Sequence, residues 1–91
     1  MRLIFWNPLA EEDRDTILDY LKARNPGAAL AVADLIEKNV GALPDNPERG
    51  RPGRIPGTRE LVFHPNYQVI YEVTPEYIEI LSVVHSRQQY P

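Results

Sequence analysis

The chain of 91 residues lacks cysteine altogether and holds only two histidines, one tryptophan and one methionine. Without cysteine, neither disulfide bonds nor thiolate-bound metals can stabilise the fold. Two histidines alone also argue against a zinc site, which needs more ligands than that. We therefore expect no metal ion and no cofactor.

Long apolar segments are missing too. No run approaches the roughly 20 residues that cross a bilayer. The apolar run MRLIFW is too short for the core of a signal peptide and is interrupted by Asn7 and Pro8. We expect a cytoplasmic protein on this basis. Phosphate-binding loops are absent as well, because no helical pattern follows Gly50, Gly53 or Gly57.

The composition that remains is ordinary for a globular protein, with 43% apolar and 25% charged residues. A chain of this length is predicted to form a single domain over residues 1–91. Residues 1–48 hold nine acidic and five basic residues, a net charge of −4, whereas residues 49–91 hold four acidic and five basic residues, a net charge of +1. The second half of the chain can therefore carry a local positive patch.

Two amphipathic helices are predicted in the first half. From Leu9 to Arg24, apolar residues recur at helical spacing, acidic residues crowd the first turns and basic residues occupy the last turn. Asn25 and Pro26 end this helix and begin the next, because Asn is a good N-cap and Pro a good first helical residue. The second helix is predicted to run from Pro26 to about Leu43. Its apolar stripe consists of Ala29, Val32, Ala33, Ile36, Val40 and Leu43.

The other regular elements are predicted to be strands. A short β-type run, Arg2 to Trp6, precedes the helices, and three runs rich in Val, Ile and Tyr follow them. These three runs are Leu61 to Phe63, Tyr67 to Val73 and Tyr77 to Val84. Residues 44–56 contain four prolines and two glycines and are predicted to form a loop with no regular element.

This order of elements predicts an α+β fold. An N-terminal strand is followed by an antiparallel two-helix hairpin and then by a three-stranded antiparallel meander, with the helices packed on one face of the sheet. Strict alternation in the last run places Ile78 and Ile80 on one face and Val83 and His85 on the other. Ile70 is expected on the open face, where it would be only partly covered.

The polar segment after the meander is the first candidate for chemistry. His85 is a possible general acid or base, Arg87 a possible phosphate ligand, and Tyr90 could stack on a base. Together they would suit cleavage of an RNA backbone. The alternative is a polar terminus in which Tyr90 and Pro91 pack over the sheet.

Arginines form the second candidate. Four of them, Arg49, Arg51, Arg54 and Arg59, fall in one short window. They could bind phosphates or an acidic protein surface, or could instead offset the acidic helices or simply solvate a loop. Arg59 enters a strand beside Glu60, where an inward-facing arginine needs a partner. His64 precedes Pro65 in a turn, where stabilisation of the turn is expected rather than catalysis.

Several short motifs, taken in order, resemble the RelE/ParE superfamily of type II toxin–antitoxin toxins over nearly the whole chain. The H-x-R-x-Q-aromatic-Pro ending and the HPNY segment are most similar to the ParE branch. The matching segments are Asn25-Pro26, Ala28-Ala29, Gly50-Arg51, Gly57 to Leu61, His64 to Tyr67, Val69 to Tyr71 and Val84 to Pro91.

The resemblance implies a toxin that inhibits growth and is neutralised by a cognate antitoxin. It implies that an antitoxin segment contacts the helical hairpin and a sheet edge. The residues expected in that contact are Ile17, Tyr20, Leu21, Val32 and Ile36.

Two targets remain open at this point. ParE-like members are associated with poisoning of DNA gyrase and need no nuclease site. RelE-like members cleave mRNA on the ribosome and commonly carry a basic residue on the third strand, where this chain has Gln68. The ParE reading is therefore favoured, with Arg51, Arg54, Arg59, Arg87 and Tyr90 as the target-binding surface. A ribosome-dependent endonuclease that uses His85, Arg87 and Tyr90 is the alternative, and a non-toxic protein-binding module is a third possibility.

Overall fold

A computed structural model describes residues 2–88 and 90 and contains two helices and five strands. The helices are α1 (Pro8–Arg24) and α2 (Pro26–Gly41). The strands are β1 (Leu3–Trp6), β2 (Arg51–Pro52), β3 (Thr58–His64), β4 (Tyr67–Val73) and β5 (Tyr77–His85). The predicted α+β fold is confirmed. Within the described residues, neither helix is long and apolar enough to cross a membrane.

Both helices start where the sequence places a capping asparagine before a proline. Asn7 Oδ1 accepts a hydrogen bond from the Leu9 N–H at 2.9 Å. Asn25 Oδ1 accepts one from the Ala28 N–H at 3.2 Å, as predicted for an N-cap. Each side chain thereby satisfies a backbone donor that the first helical turn leaves free.

The five strands form one mixed sheet in the order β1-β5-β4-β3-β2. Strands β2 to β5 pair antiparallel, whereas β1 pairs parallel to β5, with Leu3 opposite Tyr77 and Trp6 opposite Ile80. The first and last elements of the chain are therefore neighbours. The expectation of no regular element in residues 44–56 is wrong for Arg51 and Pro52, which pair with Glu60 and Arg59 of β3.

The helices cover one face of the sheet, here called the helix face. The core between the two layers combines residues of both helices with alternate residues of the strands. Its most deeply buried large side chains are Leu43, Val69, Tyr71, Ile78 and Ile80. The opposite side of the sheet is here called the far face, and it is covered as well, since Glu60, Gln68, Ile70 and Val84 are all buried. The expectation that Ile70 is only partly covered is therefore wrong.

A β-bulge changes the faces predicted for the last strand. Ile70 pairs with Ser82 and Tyr71 pairs with Ile80, so that Leu81 has no partner on β4. Beyond this extra residue the alternation is reversed. Val83 consequently packs in the same core as Ile80, and His85 lies opposite Tyr67 on the helix face. The predicted placement of Val83 and His85 opposite Ile78 and Ile80 is wrong for this reason.

Candidate functional site

The carboxylate of Glu60 is the centre of a cluster on the far face. Its side chain is only 2% exposed, yet it is charged and fully engaged. Arg51 of β2 reaches Oε1 with Nε and a terminal nitrogen, each at 3.0 Å. Oε2 accepts hydrogen bonds from the Arg54 backbone N–H at 3.1 Å and from the Tyr90 hydroxyl. A carboxylate can remain charged at such a position because its hydrogen bonds and ion pairs replace the lost water.

Tyr90 is held by Arg54 as well as by Glu60. The Arg54 guanidinium lies 4.9 Å from the centre of the Tyr90 ring and donates a hydrogen bond to the Tyr90 carbonyl oxygen at 3.1 Å. Glu60 thus brings together three of the predicted target-binding residues, Arg51, Arg54 and Tyr90. The sequence pattern did not predict this role for Glu60. The one feature that could have indicated it is the position of a lone acidic residue in a strand beside several arginines.

The ionisation of this cluster follows from its contacts. Burial alone raises the pKa of the Glu60 carboxyl, but the Tyr90 hydroxyl, the Arg54 backbone N–H and the Arg51 guanidinium outweigh it, and the net pKa is lowered. Burial and the hydrogen bond to the Glu60 carboxylate raise the pKa of Tyr90 to about 12. Glu60 is therefore an anion and Tyr90 a hydrogen-bond donor at neutral pH.

Arg59 has a different environment from the other arginines. It lies opposite Tyr71 and donates a hydrogen bond to the Gly50 carbonyl oxygen at 2.7 Å. Tyr71 holds the same loop, because its hydroxyl accepts from the Gly50 N–H and donates to the Pro47 carbonyl oxygen, both at 2.8 Å. The partner predicted for Arg59 is therefore a backbone carbonyl, that of Gly50, and Arg59 anchors the loop between α2 and β3.

His85 lies at the C-terminal end of β5, on the helix face. Its ring packs edge-on against Tyr67 with 5.3 Å between ring centres. Nδ1 accepts a hydrogen bond from the Arg87 backbone N–H at 3.1 Å. This acceptor role places the proton of a neutral imidazole on Nε2. The His64 ring is tilted against Tyr67 as well, with 5.3 Å between ring centres. Its Nδ1 accepts a hydrogen bond from the Asn66 N–H at 3.0 Å, which is the turn-stabilising role expected for it.

The predicted catalytic set of His85, Arg87 and Tyr90 is not assembled as one site. His85 is on the helix face with Tyr67, whereas Tyr90 binds Glu60 on the far face. Arg87 is exposed in the turn between them, and its guanidinium forms no ion pair with an acidic side chain in residues 2–88 and 90. Sequence spacing could not reveal this separation, because it arises from the bulge at Leu81 and from the turn after β5.

The residues predicted to contact an antitoxin divide into two groups. Ile17, Tyr20 and Leu21 line a groove of about 570 Å³ between α1 and the ends of β4 and β5, with Tyr67 and His85 on its opposite wall. Tyr20 is 54% exposed and is the most accessible of the three. We call this the α1 groove.

The other two predicted contact residues, Val32 and Ile36, do not line the α1 groove. Both are buried in the core between α2 and the sheet, so they stabilise the fold and offer no surface to a partner in this structure. The apolar stripe that suggested them is the one by which α2 packs on the sheet. Sequence alone does not distinguish an apolar position that faces the core from one that faces a partner.

Known proteins resemble this chain in both sequence and fold. The ParE toxin family of the type II toxin–antitoxin system parDE matches residues 4–90. The inferred toxin Y4kP of Sinorhizobium fredii is 40% identical over 89 residues, which cover 97% of this chain and 92% of that protein.

Two solved structures have the same fold. A chain of the chromosomal ParDE system from Pseudomonas aeruginosa aligns with a TM-score of 0.82 and 27% identity, covering 93% of this chain and 96% of that chain. A chain of the toxin–antitoxin complex RelBE2 from Mycobacterium tuberculosis aligns with a TM-score of 0.64 and 24% identity, covering 92% of this chain and 96% of the other.

Proposed function

Because this chain belongs to the ParE family of type II toxin–antitoxin toxins, we propose that it inhibits growth by acting on DNA gyrase and is neutralised by a cognate antitoxin in the cytoplasm. One observation supports a target-binding toxin over a nuclease. His85 and Tyr90 lie on opposite faces of the sheet, so the groups needed for RNA cleavage do not converge.

The target-binding surface would be the exposed basic rim of the far face. Arg51 and Arg54 are exposed there, and Arg87 is exposed in the turn after β5. Two of these guanidinium groups pack around Glu60 and Tyr90 and are held in place, which lowers the conformational entropy that they lose on binding. Arg59 would support this surface from beneath through the loop that carries Arg51 and Arg54.

The α1 groove is the surface that we assign to the antitoxin. Its wall combines the aromatic rings of Tyr20 and Tyr67 with the apolar side chains of Ile17 and Leu21, and its rim carries Glu12. An amphipathic segment with an apolar stripe and basic flanks would complement it. The structures similar to this chain include chains of ParDE and RelBE2 toxin–antitoxin systems, which also supports a protein partner.

Inhibition of supercoiling tests the proposed target. Purified toxin at micromolar concentration should reduce the conversion of relaxed plasmid to supercoiled plasmid by gyrase, and an excess of the cognate antitoxin should restore it. The matched control is Lys22→Ala, on α1 and away from the basic rim. Unimpaired supercoiling at micromolar toxin would contradict the proposal.

A ribosome-dependent mRNA endonuclease is the second candidate function. The observation that favours it is the hydrogen bond that His85 Nδ1 accepts from the Arg87 backbone N–H, because it leaves Nε2 as the nitrogen that could act as a general acid or base. Primer extension on translated mRNA would then show cuts that disappear with His85→Ala. Intact mRNA in the presence of toxin that still arrests growth would exclude this activity.

A further inference from the structure

The outer edge of β1 is open. Within residues 2–88 and 90, β1 is the terminal strand of the sheet and pairs with β5 alone. The N–H groups of Leu3 and Asn7 donate to carbonyl oxygens on the β5 side at 3.2 and 2.9 Å. Because successive residues of a strand direct their backbone groups to opposite sides, the N–H and C=O groups of Ile4 and Trp6 point away from β5. The edge thus presents two donors and two acceptors.

Apolar side chains flank this edge on both faces of the sheet. Ile4 and Trp6 line a depression of about 460 Å³ on the helix face. Leu3 and Phe5 line another of about 430 Å³ on the far face, where they are 75% and 51% exposed. The strand contains neither a charged residue nor a proline, the residues that commonly prevent pairing at an edge. The edge can therefore receive a further strand.

The hydrogen-bonding groups of the edge are arranged symmetrically about Phe5. Ile4 and Trp6 lie one residue to either side of it, so an identical antiparallel strand can pair all four groups at once. Ile4 of each copy then exchanges two hydrogen bonds with Trp6 of the other, and Phe5 faces Phe5. A shift of two residues in either direction would oppose Ile4 or Trp6 to Pro8 or Arg2, which lie outside β1.

Charge does not oppose the approach of a second copy. Like charges that face each other across two strands are destabilising, but β1 carries none. The acidic side chain in register with Phe5 is Glu79 of β5, on the inner side of β1. Its carboxylate accepts a hydrogen bond from the Asn7 side-chain amide at 3.1 Å. Two copies therefore meet through neutral strands.

We propose that β1 pairs antiparallel with β1 of a second copy, which joins two five-stranded sheets into one continuous sheet with a two-fold axis at Phe5. The two Phe5 rings pack together on the far face, and Trp6 of each copy packs beside Ile4 of the other on the helix face. Because β1 has only four residues, the contact is small and the dimer forms at micromolar concentration. As the structure describes them, the α1 groove and the Glu60 cluster contain no residue of β1, so this inference does not depend on the target.

The concentration dependence of the molar mass tests the pairing. Light scattering of the purified chain should give a mass that rises from 10.4 kDa towards twice that value. Phe5→Lys places two like charges opposite each other and should weaken dimerisation by about tenfold or more. Val62→Lys, at an exposed apolar residue of β3, is the matched control and should dimerise like the parent chain. Circular dichroism verifies that both variants are folded.

Two results of this measurement would overturn the proposal. One is a single-chain mass for the parent chain at every micromolar concentration, which is also the result expected if the open edge takes a segment of the antitoxin instead. The other is equal dimerisation of Phe5→Lys and the parent chain.

Opposite charges at position 5 test the two-fold axis. A residue faces its own counterpart only at the axis, so an equal mixture of Phe5→Lys and Phe5→Glu should form mixed dimers when neither variant dimerises alone. Mixed dimers would also show that neither variant lost the interface by misfolding. A mixture that stays at the single-chain mass would overturn the proposed register.

A single cysteine measures the same register, because the chain has none of its own. In Phe5→Cys the two Cα atoms would lie about 4.5 Å apart, within the range that a disulfide spans. In Leu3→Cys, on the same face, they would be displaced by four residues, roughly 13 Å along the strand. Under mild oxidation, non-reducing electrophoresis should show crosslinking at least about tenfold faster for Phe5→Cys, although Leu3 is the more exposed position. Equal rates, or faster crosslinking of Leu3→Cys, would overturn the proposal.

Discussion

The Asp13 carboxylate of α1 accepts hydrogen bonds from the Val83 backbone N–H at 3.1 Å and from the Ser82 hydroxyl at 2.7 Å. The contact occurs immediately after the bulge at Leu81, where the ladder between β4 and β5 is interrupted. Asp13 thus satisfies a donor at the irregular point of β5 and fixes α1 on the sheet.

Asp13→Ala should lower the free energy of unfolding by about 1–3 kcal/mol, because it leaves the Val83 N–H and the Ser82 hydroxyl without their acceptor. Urea unfolding followed by circular dichroism measures the change. The control is Asp19→Ala on the same helix, which should change stability by less than about 0.5 kcal/mol. Equal stability of the two variants would contradict the role of Asp13.

Tyr71→Phe should destabilise the chain, since the buried hydroxyl holds both the Gly50 N–H and the Pro47 carbonyl oxygen. We expect a loss of about 1–3 kcal/mol in the free energy of unfolding. Tyr77→Phe, at an exposed position, is the control. If the two variants unfold at the same urea concentration, the loop between α2 and β3 does not depend on Tyr71.

The Glu60 cluster should make stability dependent on acidic pH. Because the folded-state pKa of Glu60 is lowered, its contribution is complete above the ordinary glutamate pKa of about 4.3 and is lost as the pH falls through the folded-state pKa. The groups that face the Glu60 carboxylate are the Arg51 guanidinium, the Arg54 backbone N–H and the Tyr90 hydroxyl. The difference in unfolding free energy between the parent chain and Glu60→Gln should therefore be large at pH 7 and shrink towards pH 3. A difference that is constant with pH would show that Glu60 does not act through its charge.

Arg87→Ala should reduce inhibition of gyrase by on the order of tenfold without changing thermal stability, because the guanidinium is exposed and forms no ion pair within the described residues. Arg59→Ala is a useful contrast. It removes the hydrogen bond to the Gly50 carbonyl oxygen and should lower the melting temperature. A fall in stability with Arg87→Ala would make that residue structural.

Tyr20→Ala should weaken binding of the cognate antitoxin by roughly tenfold or more, since exposed aromatic residues at a groove often dominate binding energy. Isothermal titration calorimetry of the purified pair gives the affinity, and inhibition of gyrase by the variant alone should be unchanged. Leu30→Ala, at an exposed apolar residue of α2 outside the α1 groove, is the control. Unchanged affinity in Tyr20→Ala would place the antitoxin elsewhere.

Much of the fold is predictable because the helix-start residues and the alternation of apolar residues in the sequence match the positions that are buried in the structure. Asn7, Asn25 and the prolines after them mark both helix starts, and the alternation of Val69 and Tyr71 identifies the core face of β4. The site is less predictable, because it depends on contacts between distant residues. The extra residue Leu81 reverses the faces of the last strand, and no local pattern announces it. Glu60 and Tyr90 meet across 30 positions, so their hydrogen bond could not be inferred from spacing.

The parallel pairing of β1 with β5 has a consequence for folding. Both helices and strands β2 to β4 lie between Leu3 and its partner Tyr77 in the sequence. This pairing therefore closes a long loop, and the entropy cost of that closure makes it an expected late step in folding. The edge of the sheet that β1 forms is completed only after the local pairs of β3, β4 and β5 can already have formed.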